Sequence, residues 1–179
     1  MAWSASPTPF RPGSVPPDAR RLPPRRVCWD EALLKAVRET VVAAVEDRMM
    51  SDVGIGVFLS GGLGSAIVTA VAAEYAKRHG RRRPLPTFAV GTPNSPDLLA
   101  ARVVAAYLGP EHHEVVMTPE DAVAALPRAV RAIEHFDVHL VRSAVPNLLL
   151  AEYASRHVRT VLTGERGGRV VRRLSRLPP

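Results

Sequence analysis

A glycine- and serine-rich segment offers the clearest chemistry in this sequence. It reads LSGGLGSA, in which Ser60, Gly61, Gly62 and Ser65 follow Leu59, the last residue of a short apolar run. Glycines let backbone N–H groups approach an anion closely, and a following helix adds a partial positive charge at its amino-terminal end. The segment lacks the lysine of a Walker A loop. A phosphate-binding turn is therefore the favoured interpretation, and a plain strand–helix turn is the alternative.

Two groups of histidine and acidic residues invite a metal-site interpretation. In the first, His112 and His113 lie between Glu111 and Glu114. Adjacent residues of a strand point to opposite faces, so one metal ion would not easily contact both histidines. The second group alternates two histidines and an aspartate over 135–139, and we expect a loop there because no third strong ligand accompanies it. We therefore predict no metal site.

The charge distribution separates a near-neutral middle from two basic ends. The 179 residues have a formal net charge of +7. Five arginines lie in 1–27 and five in 166–179, whereas 28–165 holds fourteen basic and sixteen acidic residues. Because the basic charge lies mainly at the ends, a nucleic-acid partner is disfavoured. The seven prolines of 1–27 predict disorder. We expect tails at 1–29 and 171–179 around one folded domain at 30–170.

Two absences limit the class of protein. The only cysteine is Cys28, which excludes an intrachain disulfide framework and a multi-cysteine zinc site. The sequence has no apolar stretch near the roughly 18 residues of a membrane span. We therefore expect no membrane association and a reducing location in the cytosol.

Hydrophobic patterning predicts the elements that would position the glycine-rich turn. Helices are expected at 30–49, from the turn to about 79, at 96–108, from 119 to about 136 with a kink or break at Pro127, and at 143–157; strands are expected at 53–59, 85–91, 112–117 and 160–163. Such alternation is typical of an α/β fold, a parallel sheet with helices on both faces. In such a sheet, ligands bind at the carboxyl ends of the strands. The turn and a second glycine-ended strand, FAVG, both lie at such ends.

Several motifs, in order, resemble one enzyme family. LSGGLGSA resembles the SGGLDSS pyrophosphatase loop of the N-type ATP pyrophosphatases. Four later segments resemble successive motifs of the synthetase domain of glutamine-hydrolysing asparagine synthetase: TFAVGTPNSPDLLAARVVAAYLG, EHHEVVMTPEDAVAALPRAV, AIEHFDVHLVRSAVPNLLLA and VLTGERGGRV. The resemblance covers about 45–170 and implies an adenine nucleotide alpha hydrolase-like, Rossmann-like fold.

The resemblance implies ATP-dependent amide formation in asparagine biosynthesis. Aspartate is adenylated with loss of pyrophosphate, and ammonia then attacks β-aspartyl-AMP. The residue roles that it implies are ATP and pyrophosphate binding by Leu59, Ser60, Gly61, Gly62 and Ser65, the adenine and ribose side at Val90 and Gly91, completion of the nucleotide pocket by Thr163 and Gly164, and contact with the intermediate and ammonia by Glu165. For two further family-like positions we expect a surface pair or a helix-cap charge; they are Asp97 and Arg142.

The departures from the family pattern fall on carboxylates. Gly64 stands where SGGLDSS has its aspartate, and residues 167–169 read Gly-Gly-Arg where the second loop of the family has Ser-Asp-Glu. Mg²⁺ would neutralise the phosphates of ATP, and it requires oxygen ligands that glycine side chains lack. The resemblance therefore implies an ATP-utilising domain whose magnesium ligands are missing, and we predict impaired catalysis.

The family also begins with a glutaminase domain whose nucleophilic cysteine directly follows the initiator methionine. This sequence has Ala2 there, so we expect no glutamine hydrolysis by this polypeptide. The partners that the resemblance implies are ATP and aspartate; under the alternative function, a full-length homologous synthetase would be a further partner. The alternative function is a catalytically inactive nucleotide-binding or interaction module that modulates such a synthetase.

Overall fold

The structure, a computed structural model, describes residues 31–81, 84–164 and 171–173. The chain divides into two units, Met1–Ala36 and Val37–Pro179. In the first unit, the described part is a helical segment at 31–36. The second unit contains a sheet and the helices that pack on it.

Helices and strands alternate along the described chain. The helices are α1 (Glu31–Met49), α2 (Leu63–Arg78), α3 (Pro96–Leu108), α4 (Pro119–Ile133) and α5 (Val138–Ala154). The strands are β1 (Ile55–Phe58), β2 (Pro86–Gly91), β3 (Glu111–Val116), β4 (Thr160–Thr163) and β5 (Val171–Arg173). The sheet has the order β3-β2-β1-β4-β5. Neighbours among the first four strands pair in parallel, which confirms the predicted α/β class.

Strand β5 pairs antiparallel with β4, and Leu162 lies opposite Val171. This strand lies in the segment that the sequence analysis assigned to the carboxyl-terminal tail. The chain makes its only described antiparallel pairing there, at the edge of an otherwise parallel sheet.

Apolar side chains cover both faces of the sheet, because successive strand residues point to opposite sides. On one face, Val57 and Leu162 pack with residues of α1 and α2 such as Met49. On the other face, Phe88 and Val161 pack with residues at the end of α5. The predicted arrangement of helices on both faces is therefore confirmed.

The ends of α4 and α5 differ from the sequence prediction. The helix expected at 143–157 begins at Val138, because the Asp137 carboxylate accepts hydrogen bonds from the backbone N–H groups of His139 and Leu140 and so caps it. Helix α4 runs unbroken through Pro127 and ends at Ile133 rather than near 136.

Within the described residues, no helix is both long enough and apolar enough to cross a bilayer.

Candidate functional site

A cavity of about 250 Å³ lies at the carboxyl ends of the parallel strands. Its lining comes from β1, β2, β4, α5 and the turn into α2, and comprises Phe58, Leu59, Ser60, Gly62, Gly64, Ser65, Phe88, Ala89, Val90, Asn147, Leu150, Thr163 and Gly164. From β1 the chain continues to β2 and β3 on one side, and it returns through α4 and α5 to β4 on the other. The cavity therefore lies at the point where the strand order reverses, which is where open α/β sheets bind ligands.

Seven of the sequence-predicted site residues line this cavity: Leu59, Ser60, Gly62, Ser65, Val90, Thr163 and Gly164. The parallel pairing of β1 with β4 brings the two loops together, since Phe58 lies opposite Thr163 at the ends of these strands. The remaining predicted residue of the second loop, Glu165, lies outside the described residues.

The amino-terminal end of α2 faces the cavity without a side-chain cap. Its N-cap residue, Gly62, has an extended backbone and makes no capping hydrogen bond. In contrast, α3, α4 and α5 are capped by Ser95, Thr118 and Asp137. An uncapped helix end presents backbone N–H donors and a partial positive charge, and both suit an anion.

Two serine hydroxyls form a short hydrogen-bonded chain beside this helix end. The Ser65 hydroxyl donates to the carbonyl oxygen of Gly62 at 2.9 Å. It also lies 3.1 Å from the Ser60 hydroxyl. Because Ser65 has one hydroxyl proton, Ser60 is the donor in the second bond. An oxyanion bound at the turn would therefore replace the Ser65 hydroxyl as the acceptor of the hydrogen bond from Ser60.

Two other predicted site residues, Gly61 and Gly91, are outside the cavity lining and allow α3 to pack closely. Gly61 has φ 76°, and a Cβ there would lie 2.7 Å from the Cβ of Ala100. A Cβ at Gly91 would lie 2.9 Å from Leu98 Cγ. Both glycines therefore allow α3 to pack closely against the carboxyl ends of β1 and β2, and neither of them lines the cavity.

Asn147 is a polar cavity residue that the sequence analysis missed. It lies on α5, where its side-chain amide donates to the carbonyl oxygen of Ser143 at 2.9 Å. Leu150, one turn further along, supplies part of the apolar wall. Only the segment 132–151, which carries a family resemblance, pointed to this region. The face of α5 that meets the cavity follows from its packing on the sheet.

The described cavity lining does not fit a magnesium ion. It contains backbone groups, hydroxyls and one amide, with no carboxylate among its described members. Mg²⁺ in nucleotide sites is held by one or two carboxylates together with substrate phosphates. Over 31–81, 84–164 and 171–173, no group of three or more His, Cys, Asp or Glu side chains could hold a metal ion.

The histidines of β3 are not among the residues that line this cavity, and they have other partners. His112 Nδ1 is 2.9 Å from the Thr87 hydroxyl, and burial lowers the pKa of the imidazole. His113 stacks on Phe88 with ring centroids 5.2 Å apart. Arg102 donates two hydrogen bonds of 2.7 Å to the Glu114 carboxylate and lowers its pKa. Residues of this group therefore tie β3 to β2 and α3.

The group at 135–139 forms a helix cap. His135 Nδ1 accepts a hydrogen bond of 2.9 Å from the backbone N–H of Asp137, whose carboxylate caps α5. Asp97 lies in the first turn of α3, where its charge complements the helix dipole. Arg142 is exposed on α5.

Another, smaller cavity of about 60 Å³ lies near the amino-terminal ends of β2 and β3. It is lined in part by Lys77, Arg81, Leu85 and Leu108, near the residues that precede β2 and β3. Its cationic side chains make it an alternative place for an anion.

The family model for asparagine synthase matches residues 36–170. The chain belongs to the asparagine synthase family. The match includes the described cavity lining of both loops and of α5. The family resemblance predicted from the motifs is thus confirmed.

Individual relatives agree with this family. The chain is 39% identical over 132 residues to the glutamine-hydrolysing asparagine synthetase of Gallus gallus, covering 74% of this chain and 24% of that protein. It is 37% identical over 145 residues to a probable asparagine synthetase of Dictyostelium discoideum, covering 76% of this chain and 26% of that protein. The chain therefore spans about a quarter of the length of these curated relatives.

Among solved structures, the chain is similar to an NH3-dependent NAD synthetase from Campylobacter jejuni. The TM-score is 0.49 at 18% sequence identity, covering 72% of this chain and 55% of that one.

Proposed function

We propose that this chain is a nucleotide-binding domain of asparagine synthetase type, with ATP bound in the cavity at the carboxyl ends of the strands. The supporting observation is that the cavity combines an uncapped helix end with the loops after β1 and β4. These loops carry the two motifs whose family counterparts were expected to hold the phosphates and the nucleotide. Membership of the asparagine synthase family supports the same assignment.

The two sides of the cavity suit the two halves of a nucleotide. The α2 end, with Ser60 and Ser65, offers hydrogen-bond donors to phosphate oxygens. The opposite side is apolar, with Phe88, Val90 and Leu150. The volume of the whole cavity, about 250 Å³, lies just below the roughly 300–1,000 Å³ typical of ligand pockets. The base would therefore occupy the apolar side, while the phosphates extend along the turn.

The family reaction sets the chemistry that this domain would serve. A carboxylate oxygen of aspartate attacks the α-phosphorus of ATP, and the bond to pyrophosphate breaks. Ammonia then attacks the β-aspartyl carbonyl, and AMP leaves as asparagine forms. Because the described lining has no carboxylate to hold a metal, we expect the adenylation step to be impaired in this chain. We place this function in the cytosol.

Two measurements test the two halves of the proposal. Isothermal titration of the full chain with ATP is expected to show saturable one-to-one binding. A pyrophosphate-release assay with ATP, aspartate and ammonia is expected to show turnover far below that of a complete synthetase. Absence of ATP binding would contradict the nucleotide site, whereas turnover at ordinary enzymatic rates would contradict the impairment.

The second candidate function keeps the nucleotide site but not the reaction. It is the module that modulates a full-length synthetase, and the absence of carboxylates from the described cavity lining favours it. Co-expression with a complete homologous synthetase, followed by affinity purification, distinguishes the two. Stoichiometric copurification that changes the turnover of the synthetase supports the module, and failure to copurify contradicts it.

A further inference from the structure

The two loops of the cavity touch each other through two glycines, Gly64 and Gly164. A Cβ built at Gly64 would lie 2.8 Å from the carbonyl oxygen of Gly164. A Cβ built at Gly164 would lie 2.6 Å from the carbonyl carbon of Gly64 and 2.6 Å from the backbone nitrogen of Ser65. These separations are shorter than the contact distances that Cβ atoms make in proteins, and the neighbours are backbone atoms that cannot rotate away.

The backbone conformation does not require glycine at either position. The described glycines with positive φ are Gly61, Gly80 and Gly109, so neither Gly64 nor Gly164 is among them. Gly64 is also the second residue of α2, and glycine within a helix is less favourable than alanine. The close approach of the Gly164 carbonyl is the feature that excludes a side chain at position 64.

The contact removes the space that an acidic side chain would need. Position 64 is where the SGGLDSS pattern carries its aspartate, and here the Gly164 carbonyl oxygen would lie only 2.8 Å from the first side-chain atom. The described lining also lacks lysine and arginine. The donors that the described lining offers an anion are backbone N–H groups at the α2 end and the hydroxyls of Ser60 and Ser65. None of these groups needs a metal ion in order to bind a phosphate.

We infer that the cavity binds adenine nucleotides without requiring a divalent cation, and that the Gly64–Gly164 contact fixes it in this form. This inference rests on the proposed nucleotide site and specifies that ligand binding at that site does not depend on magnesium. It also implies that restoring an aspartate at position 64 does not by itself restore magnesium-dependent binding, because the contact must open first.

Titration of the unaltered full chain tests the inference directly. ATP and AMP are titrated separately in EDTA and in excess MgCl2. We expect the dissociation constant of ATP in EDTA to stay within about threefold of its value in MgCl2. A tightening of ATP binding by more than about threefold in MgCl2 would overturn the inference. Failure of both nucleotides to bind under either condition would instead overturn the proposed nucleotide site on which it rests.

Two substitutions test the role of the contact. Gly64→Ala is expected to lower the melting temperature and weaken ATP binding in EDTA, although alanine normally stabilises a helix. Gly54→Ala is the control, because its Cβ would meet Val158 at an ordinary 3.8 Å and should change neither quantity. A raised melting temperature in Gly64→Ala would overturn the contact. For Gly64→Asp we expect weakened ATP binding that does not respond to MgCl2, and a gain of magnesium-dependent binding would overturn the inference.

Discussion

At the scale of single residues, the glycines of the turn differ in what holds them. Gly61 combines a positive φ of 76° with close contact to α3. Gly64 faces the Gly164 carbonyl. Gly62 has neither constraint, because its φ is −75° and an added Cβ would meet only the Ser60 hydroxyl oxygen at 3.6 Å. Position 62 therefore accepts a side chain and can be used to change the charge of the site without disturbing the fold.

Gly62→Asp is expected to separate folding stability from nucleotide binding. An aspartate at the N-cap can accept hydrogen bonds from the first turn of α2, so the free energy of unfolding should stay equal or rise by a few tenths of a kcal/mol. The same carboxylate repels a phosphate about 5 Å away by roughly 3 kcal/mol at an effective dielectric constant near 20. ATP binding, measured by titration calorimetry, should therefore weaken at least about tenfold.

Gly62→Asn is the matched neutral control, since asparagine caps a helix about as well as aspartate. It should fold equally well and retain more ATP affinity than the aspartate variant. Equal losses of affinity in the two variants would point to steric exclusion, and the proposed anion site would then lose its electrostatic basis.

His112 gives the fold a pH dependence with a defined sign. Its side chain faces Thr87, Glu114 and Arg102, with His113 adjacent, and burial is the main cause of its lowered pKa. The unfolded chain, with an ordinary histidine pKa near 6.5, therefore binds protons before the folded chain does. The contribution to stability is complete above that pH and is lost as the pH falls through the folded-state pKa.

Urea unfolding at pH 7.5 and pH 5.5 measures this contribution. The unaltered chain should lose more unfolding free energy between the two conditions than His112→Gln, which cannot titrate there. The lowered pKa of Glu114 acts at more acidic pH, outside this window. An identical pH dependence in both proteins would show that His112 is not the titrating group.

At the scale of elements, α4 and α5 form a helix pair with small residues at its centre. Ala125 and Ala129 of α4 are buried and pack with Val145 of α5. Arg128 donates a hydrogen bond of 2.8 Å to Glu152 across the pair. Since α5 carries two cavity residues, the spacing of this pair helps to position one wall of the site.

Ala129→Leu is expected to lower the free energy of unfolding by about 1–3 kcal/mol, because a larger side chain does not fit a closely packed interface. Ala129 is 0% exposed. The control is Ala124→Leu, on the exposed side of the same helix, where the change should stay within about 0.5 kcal/mol. Chemical denaturation of both variants makes the comparison, and equal effects would contradict the packing described here.

The same elements show what the sequence could not predict. Sequence patterning located α2 and α3 well, and in α3 a serine N-cap followed by a proline at the first position marks the start. It placed the start of α5 five residues too late, because the alternation of two histidines with Asp137 suggested a loop, whereas Asp137 caps the helix. It also suggested a kink or break at Pro127; α4 has no break there and packs against α5.

At the scale of the whole molecule, the strand order creates the site. The sequence predicted four strands and their alternation with helices, but composition and periodicity contain no information on which strands are neighbours. The approach of Thr163 to the turn after β1 could be expected only through the family resemblance, and the pairing of β1 with β4 now shows it. Asn147 was missed for the same reason, because its position depends on where α5 crosses the sheet.

The most direct test of the account is to locate bound ATP by the backbone amide signals of the isotopically labelled full chain. We predict that titration with ATP shifts the amide signals of Leu63, Gly64, Ser65 and Gly164. The amide signals near the amino-terminal ends of β2 and β3 should stay unchanged. Shifts that instead cluster at Lys77, Arg81 and Leu108, around the smaller cavity, would contradict the central claim that the nucleotide binds at the carboxyl ends of the strands.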